Sequence, residues 1–555
     1  MERLALSDYI VFLVYFFIVA LYGWWVYRKK RTGNAGVKEY FLAEGSLTWW
    51  AIGASLIASN ISAEQFIGMS GSGYKLGLAI ASYEWMSALT LVLVAFLFMP
   101  VYLKNKIYTM PQFLYTRYND TVSMIMAVFW LLLYVIVNLT SILYLGALAV
   151  NSISGIDLYS CMAGLAIFAI IIALGGMKVI GYTDVIQVFF LILGGLVTTC
   201  LALNLVAEQY GTSGIVKGFF LMKEKAGDHF HMILTPKNTG YADLPGLSVL
   251  LGGLWIANLN YWGCNQYITQ RALGADLPTA RSGILFAAFL KLLMPLIVVL
   301  PGIAAFVLNT DPAFKSRMLA GGTVNPDRAY PVLLHLLPAG LKGVSFAALT
   351  AAVVASLAGK VNSIATIFTL DIYKKVIRPD ASEKRLVSVG KLTVVISMLV
   401  AVIIAPHLGI DKKGGFQYIQ EYTGFVSPGI FAMFLLGFFW KRTTSQAALF
   451  ATVGGFLLSL FLKFLPLVAE LSFLGPSGFA VKNEKGLYEI PFLDRMAIVF
   501  VLCLIGMYFI SRYGKKDIAA KTMVVDKKML RASPGFIAGA LIVCGVLVAV
   551  YMMFW

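Results

Sequence analysis

The chain has 555 residues, of which 59% are hydrophobic and only 13% are charged, and its mean hydropathy is +0.82. A water-soluble domain cannot bury that much apolar surface, so the composition excludes an ordinary soluble enzyme or binding module. The net charge of +17 suggests nucleic-acid binding only if the basic residues form one surface, and their distribution along the chain does not favour this.

Apolar runs of about 20 residues, the length that crosses a hydrocarbon core, recur along the whole chain. We predict helices for all of them, because an open strand leaves unpaired backbone groups in lipid. The first run, 8–27, is followed by basic residues instead of preceded by them, so we interpret it as a retained helix and not as a signal peptide. In chain order, the about fourteen predicted spans are 8–27, 46–74, 77–103, 121–150, 156–176, 183–206, 245–268, 281–308, 344–372, 386–406, 416–440, 444–465, 493–511 and 534–555.

The basic residues indicate the orientation of these spans. They are dense between Arg28 and Lys38, after the first span, and in two other short loops, 374–391 and 512–531. All three loops fall on one side of the predicted topology, and the positive-inside rule makes that side cytoplasmic. We therefore predict a multi-pass protein of the plasma (inner) membrane with both termini on the outer side, and we expect no nucleic-acid partner.

Two spans are interrupted by polar residues and glycine, the second by SNISAEQ at 59–65 and the seventh by NLNYWGCNQ at 258–266. They stand five spans apart, so each opens a block of five helices, and an odd number gives the blocks opposite orientations. Inverted repeats with paired broken helices are the organisation in which secondary transporters build their substrate and ion sites. The alternative is that both interruptions are glycine-rich kinks at helix crossings.

This pattern predicts one membrane domain, 1–555, with an all-α fold and a five-plus-five inverted-repeat core. The predicted parts are the extra first helix (8–27), the first inverted repeat (46–206), the second inverted repeat (245–440) and three C-terminal helices (444–555).

Ionisable residues inside the spans are few, and each costs at least about 2.5 kcal/mol near the middle of a membrane helix. Each is therefore a candidate functional group. Carboxylate, ammonium and amide groups that converge on one cavity suit a polyhydroxylated ligand. The alternative is that they pair with one another as structural contacts between helices. The residues are Glu64, Glu84, Asp184, Lys291, Lys360 and Glu421.

Lys360 lies close to the centre of the ninth span, about 18 Å from its cytoplasmic end, so its ammonium cannot reach the interface by snorkelling. It shares a helix face with Ser356, one turn away. A hydroxyl at Ser356 can bind a small cation, and the nearby ammonium would compete with that cation or replace it. The alternative is that Lys360 lines a water-filled cytoplasmic vestibule.

The sequence contains no Walker A, HExxH or GxSxG motif, and its five Cys and four His lack the spacing of metal ligands. We therefore expect no enzymatic activity and no resident cofactor.

The chain resembles the solute:sodium symporter family, including the bacterial sodium/galactose transporter and the sodium/glucose cotransporters, over roughly residues 40–465. The resemblance implies the core fold of amino acid-polyamine-cation and neurotransmitter symporters. The motifs that carry it are SNISAEQFIGMSGSGY (59–74), ASYEWMSA (81–88), GYTDVIQVFFL (181–191), GGLWIANLNYWGCNQYITQR (252–271), FAAFLKL (286–292), NSIATIFTLDIY (362–373) and FQYIQEYTGFVSPG (416–429).

The resemblance also implies roles for individual residues. Tyr261 matches the aromatic residue that closes the inner side of the pocket by stacking on a sugar ring, with Trp262 beside it, and Asn60 matches a residue that braces the broken helix. The implied outer gate is Met69, Tyr83 and Phe416. The implied polar sugar contacts are Gln65, Glu84, Ser87, Asn258, Lys291 and Gln420.

The resemblance implies a sodium site made of the backbone oxygens of Ala58, Ile61 and Ala352 and two adjacent side-chain hydroxyls, at Ala355 and Ser356 in this sequence. Ala355 has no hydroxyl, so one ligand is missing. Lys360 stands where the relatives have an apolar residue, and its positive charge should weaken sodium binding further. Asp184 matches an acid on the sodium exit path and is an alternative partner for Lys360.

The sequence as a whole thus predicts a sodium-coupled symporter of a galactose- or glucose-like monosaccharide that works by alternating access. One alternative is a proton-coupled or uncoupled sugar transporter in which Lys360 replaces the sodium. Another is a sugar sensor that binds without transport. The expected partners are the sugar and the lipid bilayer.

Overall fold

The computed structural model describes residues 5–29, 40–41, 47–62, 64–238, 240–320, 322–407, 415–483, 486–514 and 523–555. Most of the basic cluster predicted for the first cytoplasmic loop, and part of 512–531, lie outside the described residues. Among the described residues, helices dominate and the strands form two short antiparallel hairpins. These pair Leu319–Ala320 with Thr323–Val324 and Val481–Lys482 with Tyr488–Glu489.

The helices follow the apolar runs in the sequence. Those in the first part of the chain are Leu6–Lys29, Trp49–Asn60, Ser70–Leu76, Ser82–Leu93, Met99–Lys104, Met110–Arg117, Asp120–Leu132, Thr140–Ser154, Leu158–Leu174 and Gly176–Gln209. Those in the middle part are Ile215–Lys225, Leu247–Leu251, Gly253–Gly263, Gln266–Leu273, Leu277–Val298, Leu300–Leu308, Pro312–Met318, Ala329–His335 and Leu341–Ile367. Those in the last part are Glu383–Ile404, Gly415–Gly424, Ser427–Phe439, Ser445–Leu449, Gly455–Phe464, Phe492–Tyr513 and Pro534–Met553.

Wider and tighter helical turns interrupt or extend these α-helices. The π-helical segments are Glu64–Met69, Val94–Phe98, Leu133–Leu139, Phe368–Ile377 and Phe450–Gly454. The 3₁₀ segments are Gly77–Ala81, Gly227–Phe230, Pro326–Arg328, Ala405–His407, Leu465–Leu467, Ser472–Leu474 and Lys527–Leu530.

Ten helices of the described residues are long and apolar enough to cross a membrane. They coincide with all the predicted spans except the second, fifth, seventh and eleventh. The fifth and eleventh contain the shorter apolar helices Leu158–Leu174 and Ser427–Phe439. The second and seventh are broken, as the polar interruptions predict. The chain is therefore an all-α, multi-pass membrane protein.

Burial separates a central helix from peripheral ones. The span Leu341–Ile377 is buried over 94% of its most apolar stretch, whereas the first and last spans, Leu6–Val26 and Pro534–Met553, are buried over only 22%. A span that is apolar on all sides and mostly exposed faces lipid. The helix that carries Ser356 and Lys360 is therefore at the centre of the fold.

The first helix contacts this central helix through one buried acid. Asp8 Oδ1 accepts hydrogen bonds from the backbone N–H groups of Gly340, at 2.7 Å, and Gly343, at 2.9 Å. Helix Leu341–Ile367 begins here, and the first N–H groups of a helix have no partner within it. A carboxylate at this end also interacts favourably with the helix dipole. The extra helix thus caps the central one.

Glycine allows the second and eighth spans to pack closely. A Cβ atom on Gly302 would lie 2.0 Å from the carbonyl oxygen of Ser70, and one on Gly53 would lie 2.6 Å from that of Gly283. Small residues at such contacts let membrane helices approach backbone to backbone. The close approach brings Lys291, on the eighth span, to the break in the second.

Candidate functional site

The second span breaks after Asn60, where helix Trp49–Asn60 ends and Ile61 takes an extended conformation. The oxygen of Ile57 still accepts from the N–H of Ile61, whereas the N–H of Ser62 turns to Gln65 Oε1 and leaves the oxygen of Ala58 without its helical partner. The helix resumes with two local caps: Ser62 Oγ accepts from the N–H of Glu64 at 3.2 Å, and Gln65 Oε1 accepts from the N–H of Ser62 at 3.0 Å. These caps fix where the helix restarts after the break.

The seventh span breaks at Cys264 and Asn265, between helices Gly253–Gly263 and Gln266–Leu273. Asn265 Oδ1 accepts from the N–H of Tyr267 at 3.1 Å and so caps the second helix. Residues 258–263, which the sequence also suggested as part of the interruption, are helical. The break therefore lies at the end of the predicted stretch.

A polar cavity lies between the two breaks. Its walls combine amide, hydroxyl and carboxylate groups with several aromatic rings, which is the composition expected for a site that binds a polar small molecule. Its polar lining residues are Ser59, Asn60, Ser62, Glu64, Gln65, Glu84, Ser87, Asn138, Asn258, Asn260, Asn265, Lys360, Gln420, Thr423 and Ser427. Its aromatic lining residues are Tyr83, Tyr261, Tyr267, Phe416 and Phe492.

Most residues suggested as sugar contacts line this cavity. Gln65, Glu84, Ser87, Asn258, Tyr261 and Gln420 do so, and they come from four different spans. Ser87 Oγ donates to Asn258 Oδ1 at 2.5 Å, which joins the third span to the seventh.

Two suggested sugar contacts, Lys291 and Trp262, lie behind the cavity wall. Lys291 has no exposed surface, and its ammonium donates to Glu84 Oε2 and to Asn60 Oδ1. It also lies 5.3 Å from the ring centre of Trp262, which is 1% exposed. Neither residue lines the cavity in this structure, so their direct contact with a sugar stays a prediction. The contacts of Lys291 orient Glu84 and Asn60, which do line the cavity.

The residues suggested as gates lie in two groups. The rings of Tyr83 and Phe416 meet edge to face at 5.1 Å, and both line the cavity. Met69 is fully buried and does not line it. On the other side, Tyr261 is hydrogen-bonded to Asn60 and packs edge to face against Trp262 at 5.1 Å.

Ser356 faces the free carbonyl oxygens at the first break. Its Oγ lies 3.3 Å from the oxygens of Ala58 and Ser59 and 3.4 Å from that of Ile61. These four oxygens are hard ligands of the kind that Na⁺ and other small cations prefer. Ala58, Ile61 and Ser356 thus come together as suggested, and the sequence reasoning missed Ser59. Ala352 and Ala355 are buried on the same helix, and the Ala355 side chain offers no oxygen.

Lys360 is 3% exposed and lies one turn beyond Ser356. Its Nζ is 3.8 Å from the ring centre of Tyr267 and 4.7 Å from that of Tyr134, and it donates to Asn138 Oδ1 at 3.4 Å. Tyr267 in turn donates its hydroxyl to the carbonyl oxygen of Ser59. One aromatic ring therefore separates the ammonium from the oxygens around Ser356.

Two acids were candidates to act on this ammonium. Glu64 lines the same cavity and accepts from Ser141 Oγ at 3.1 Å, and its negative charge acts on Lys360. Asp184 instead accepts from Ser55 Oγ at 2.5 Å and lies 3.9 Å from the guanidinium of Arg271. The suggested pairing of Asp184 with Lys360 is therefore wrong, because Arg271 occupies that position.

Glu421 follows the alternative that the sequence analysis left open, a structural contact between helices. Its carboxylate pairs with Lys463 and Arg495 on the twelfth and thirteenth spans. The neighbouring residue Gln420 faces the cavity, and consecutive residues of a helix point about 100° apart, so the two cannot share one side.

Sequence reasoning missed Tyr134, Asn138 and Tyr267, and it placed Asn265 in the interruption without a role in the site. Asn138 gives a usable signal, since it is the lone amide in the apolar stretch LYVIVNL, which the structure shows as π-helical. Such wide turns are frequent at functional sites. Tyr267 gives no such signal, because tyrosine is common in membrane helices.

Comparisons with known proteins agree with this geometry. The sequence pattern of the Sodium:solute symporter family matches residues 40–455. The Sodium/glucose cotransporter of Vibrio parahaemolyticus is 47% identical and covers 100% of this chain and 99% of its own length. The human Sodium/myo-inositol cotransporter 2 is 34% identical, over 82% of this chain and 69% of its own length.

A solved structure of a Na⁺-coupled sialic acid symporter, in a substrate-bound outward-open state, has a similar fold. The TM-score is 0.76 over 93% of this chain and 99% of that one, with 21% sequence identity. At this identity the likeness bears on the fold alone, and it agrees with the predicted inverted-repeat core.

Proposed function

Because the chain belongs to the sodium:solute symporter family, we propose that it carries a monosaccharide across the membrane together with Na⁺ by alternating access. The observation that carries the proposal is the polar cavity between two broken helices, with the oxygens around Ser356 at one of the breaks. The amides and carboxylate of Gln65, Glu84, Asn258 and Gln420 suit the hydroxyls of a sugar, and the face of Tyr261 suits its apolar side.

The mechanism follows from the two breaks. Na⁺ bound to the oxygens of Ala58, Ser59, Ile61 and Ser356 would tie the second span to the central helix and stabilise the cavity for the sugar. Sugar binding would then close Tyr83 and Phe416 on one side, and Tyr261 would open on the other. Coupling between the ion and the sugar is a linkage between two sites that share the second span.

Uptake by the purified chain in liposomes tests this proposal. An inward Na⁺ gradient should accelerate entry of labelled glucose or galactose, while an equal K⁺ gradient should not. myo-Inositol serves as the competing solute, since one of the similar proteins is named a sodium/myo-inositol cotransporter. Uptake of myo-inositol in preference to both hexoses would replace the substrate class, and saturable binding without counterflow would indicate a sensor.

A second candidate, proton-coupled or uncoupled transport, is favoured by one observation. The ammonium of Lys360 is fixed beside the ion site and a hydroxyl is missing at Ala355. A fixed ammonium can supply part of the positive charge that a bound cation would otherwise bring to the site. Coulomb repulsion also lowers affinity for free Na⁺, unless Glu64 and the ring of Tyr267 shield it.

Sodium-dependence curves separate the two candidates. If Na⁺ is the coupling ion, Lys360→Met should lower the half-saturating Na⁺ concentration by about fivefold or more, since about 1 kcal/mol of repulsion is removed. Ala355→Ser is the matched variant, because it adds a hydroxyl ligand and keeps the charge of Lys360. It should also lower the half-saturating Na⁺ concentration. Wild-type uptake that ignores Na⁺ but follows a pH gradient would favour protons, and indifference to both would favour a uniporter.

A further inference from the structure

Three charges from three helices meet at Glu421. Its Oε1 accepts from Arg495 Nη2 at 2.8 Å and from the ammonium of Lys463. The exposed fractions of the side chains are 16% for Glu421, 22% for Lys463 and 7% for Arg495. We refer to these three residues as the Glu421 triad. Exposed ion pairs contribute little, but pairs this buried are sensitive to the loss of one partner.

The helix that carries Glu421 also carries part of the candidate sugar site. The described helix Gly415–Gly424 presents Phe416 and Gln420 to the cavity. Gln420 is the immediate neighbour of Glu421. A rotation of this helix that follows from a change at Glu421 must therefore move the amide of Gln420.

The other side of the triad reaches the cavity as well. Arg495 lies in the first turn of helix Phe492–Tyr513, and Phe492 and Met496 of that turn line the cavity. This helix belongs to the three C-terminal spans, outside both predicted repeats. Residues outside the core thus form part of the cavity wall.

The start of this helix packs closely against the seventh and eleventh spans. A Cβ on Gly253, in the seventh span, would lie 2.1 Å from the carbonyl oxygen of Leu493, and one on Gly424, in the eleventh, would lie 3.0 Å from the sulfur of Met496. Asp494 is hydrogen-bonded to Ser248. The first turn of the C-terminal helix is therefore packed against two segments that lead into the cavity.

We infer that Glu421 is a positioning residue for sugar recognition: through Arg495 and Lys463 it fixes helix Gly415–Gly424 against the C-terminal helices and so sets the placement of Gln420 and Phe416. Glu421 does not touch the sugar itself. This inference rests on the proposed function for its transport readout, and it gives the C-terminal spans a role in substrate affinity.

Uptake kinetics of Glu421→Gln test the inference. The substitution keeps the shape of the side chain but removes the charge. We expect the sugar KM to rise about tenfold while the maximal rate stays within about twofold, because misplacement of one contact weakens binding without altering the rest of the cycle. Arg495→Lys keeps the charge but loses the forked geometry, and should raise KM by a smaller factor. Lys75→Met, which breaks the exposed pair with Asp243 at 3.6 Å, is the control and should leave KM unchanged.

Hydrogen exchange provides a readout that needs no sugar. In the folded Glu421→Gln protein, residues 415–424 should exchange faster than in the wild type, with the helix Leu341–Ile367 unchanged. A KM within twofold of the wild type, or unchanged exchange in 415–424, overturns the inference. Failure of the wild type to take up any sugar would overturn the proposed function instead, and the exchange result would still decide the role of the triad.

Discussion

Buried charges explain the polar site at the scale of single residues. Lys291 and Glu84 are both inside the protein, so each stabilises the other only while both are charged and in contact. Replacing a complete buried pair with neutral side chains is often tolerated, whereas removing one partner leaves an uncompensated charge. The pair therefore makes Glu84 available to the cavity with a defined orientation.

Lys291→Met should destabilise the protein by about 3–5 kcal/mol, because the carboxylate of Glu84 then remains buried without its partner. Thermal unfolding followed by tryptophan fluorescence in detergent measures the change. The double variant Lys291→Met, Glu84→Gln should recover most of the stability. Equal losses in the single and double variants would contradict the assignment of Glu84 as the partner that matters.

At the scale of elements, the breaks in the second and seventh spans organise the site. The caps at Ser62 and Gln65 restart the second span immediately after the carbonyl oxygens that surround Ser356. They fix where the helix resumes, and hence which carbonyl oxygens lie beside Ser356.

Ser62→Ala removes the oxygen that accepts from Glu64, and should cost about 1 kcal/mol of stability. We also expect weaker Na⁺ affinity, because the carbonyl of Ile61 then loses its fixed position. Ser72→Ala is a suitable control, since Ser72 Oγ donates to the carbonyl oxygen of Gly68 within an intact helix. Na⁺ titrations measure the Na⁺ affinity of both variants. Equal affinities for Ser62→Ala and Ser72→Ala would argue against a role for the cap.

The sequence predicts the helices and their breaks well, but it predicts the partners of the buried charged residues poorly. Polar residues inside apolar runs identify both broken spans, since hydrophobicity and glycine are local signals. The partners of Asp184 and Glu421 are not local: Arg271, Lys463 and Arg495 come from other spans, and their meeting depends on helix rotation and depth. Lys291 shows the same limit, because its burial behind Glu84 follows from the glycine contacts between the second and eighth spans.

At the scale of the whole molecule, the distribution of basic loops predicts the orientation in the membrane. The short loops 374–391 and 512–531 carry many Lys and Arg, which favours a cytoplasmic position for both. With the even number of predicted spans, we expect the two termini on the same, outer side.

Reporter fusions in a bacterial host test this orientation. Alkaline phosphatase joined after Trp555 should be active, since it folds only outside the cytoplasm, and a green fluorescent protein at the same position should stay dark. Fusion at Arg378 serves as the control and should give the opposite pair of results. A fluorescent carboxyl-terminal fusion would reverse the predicted topology.

The contact of Asp8 with Gly340 and Gly343 limits where the chain can be truncated or tagged. The lipid-facing first helix looks dispensable, yet it supports the end of the helix that bears Ser356 and Lys360. Truncation near the amino terminus, or a bulky affinity tag placed there, would loosen that support and alter ion affinity at a distance. Purification handles therefore belong at the carboxyl terminus.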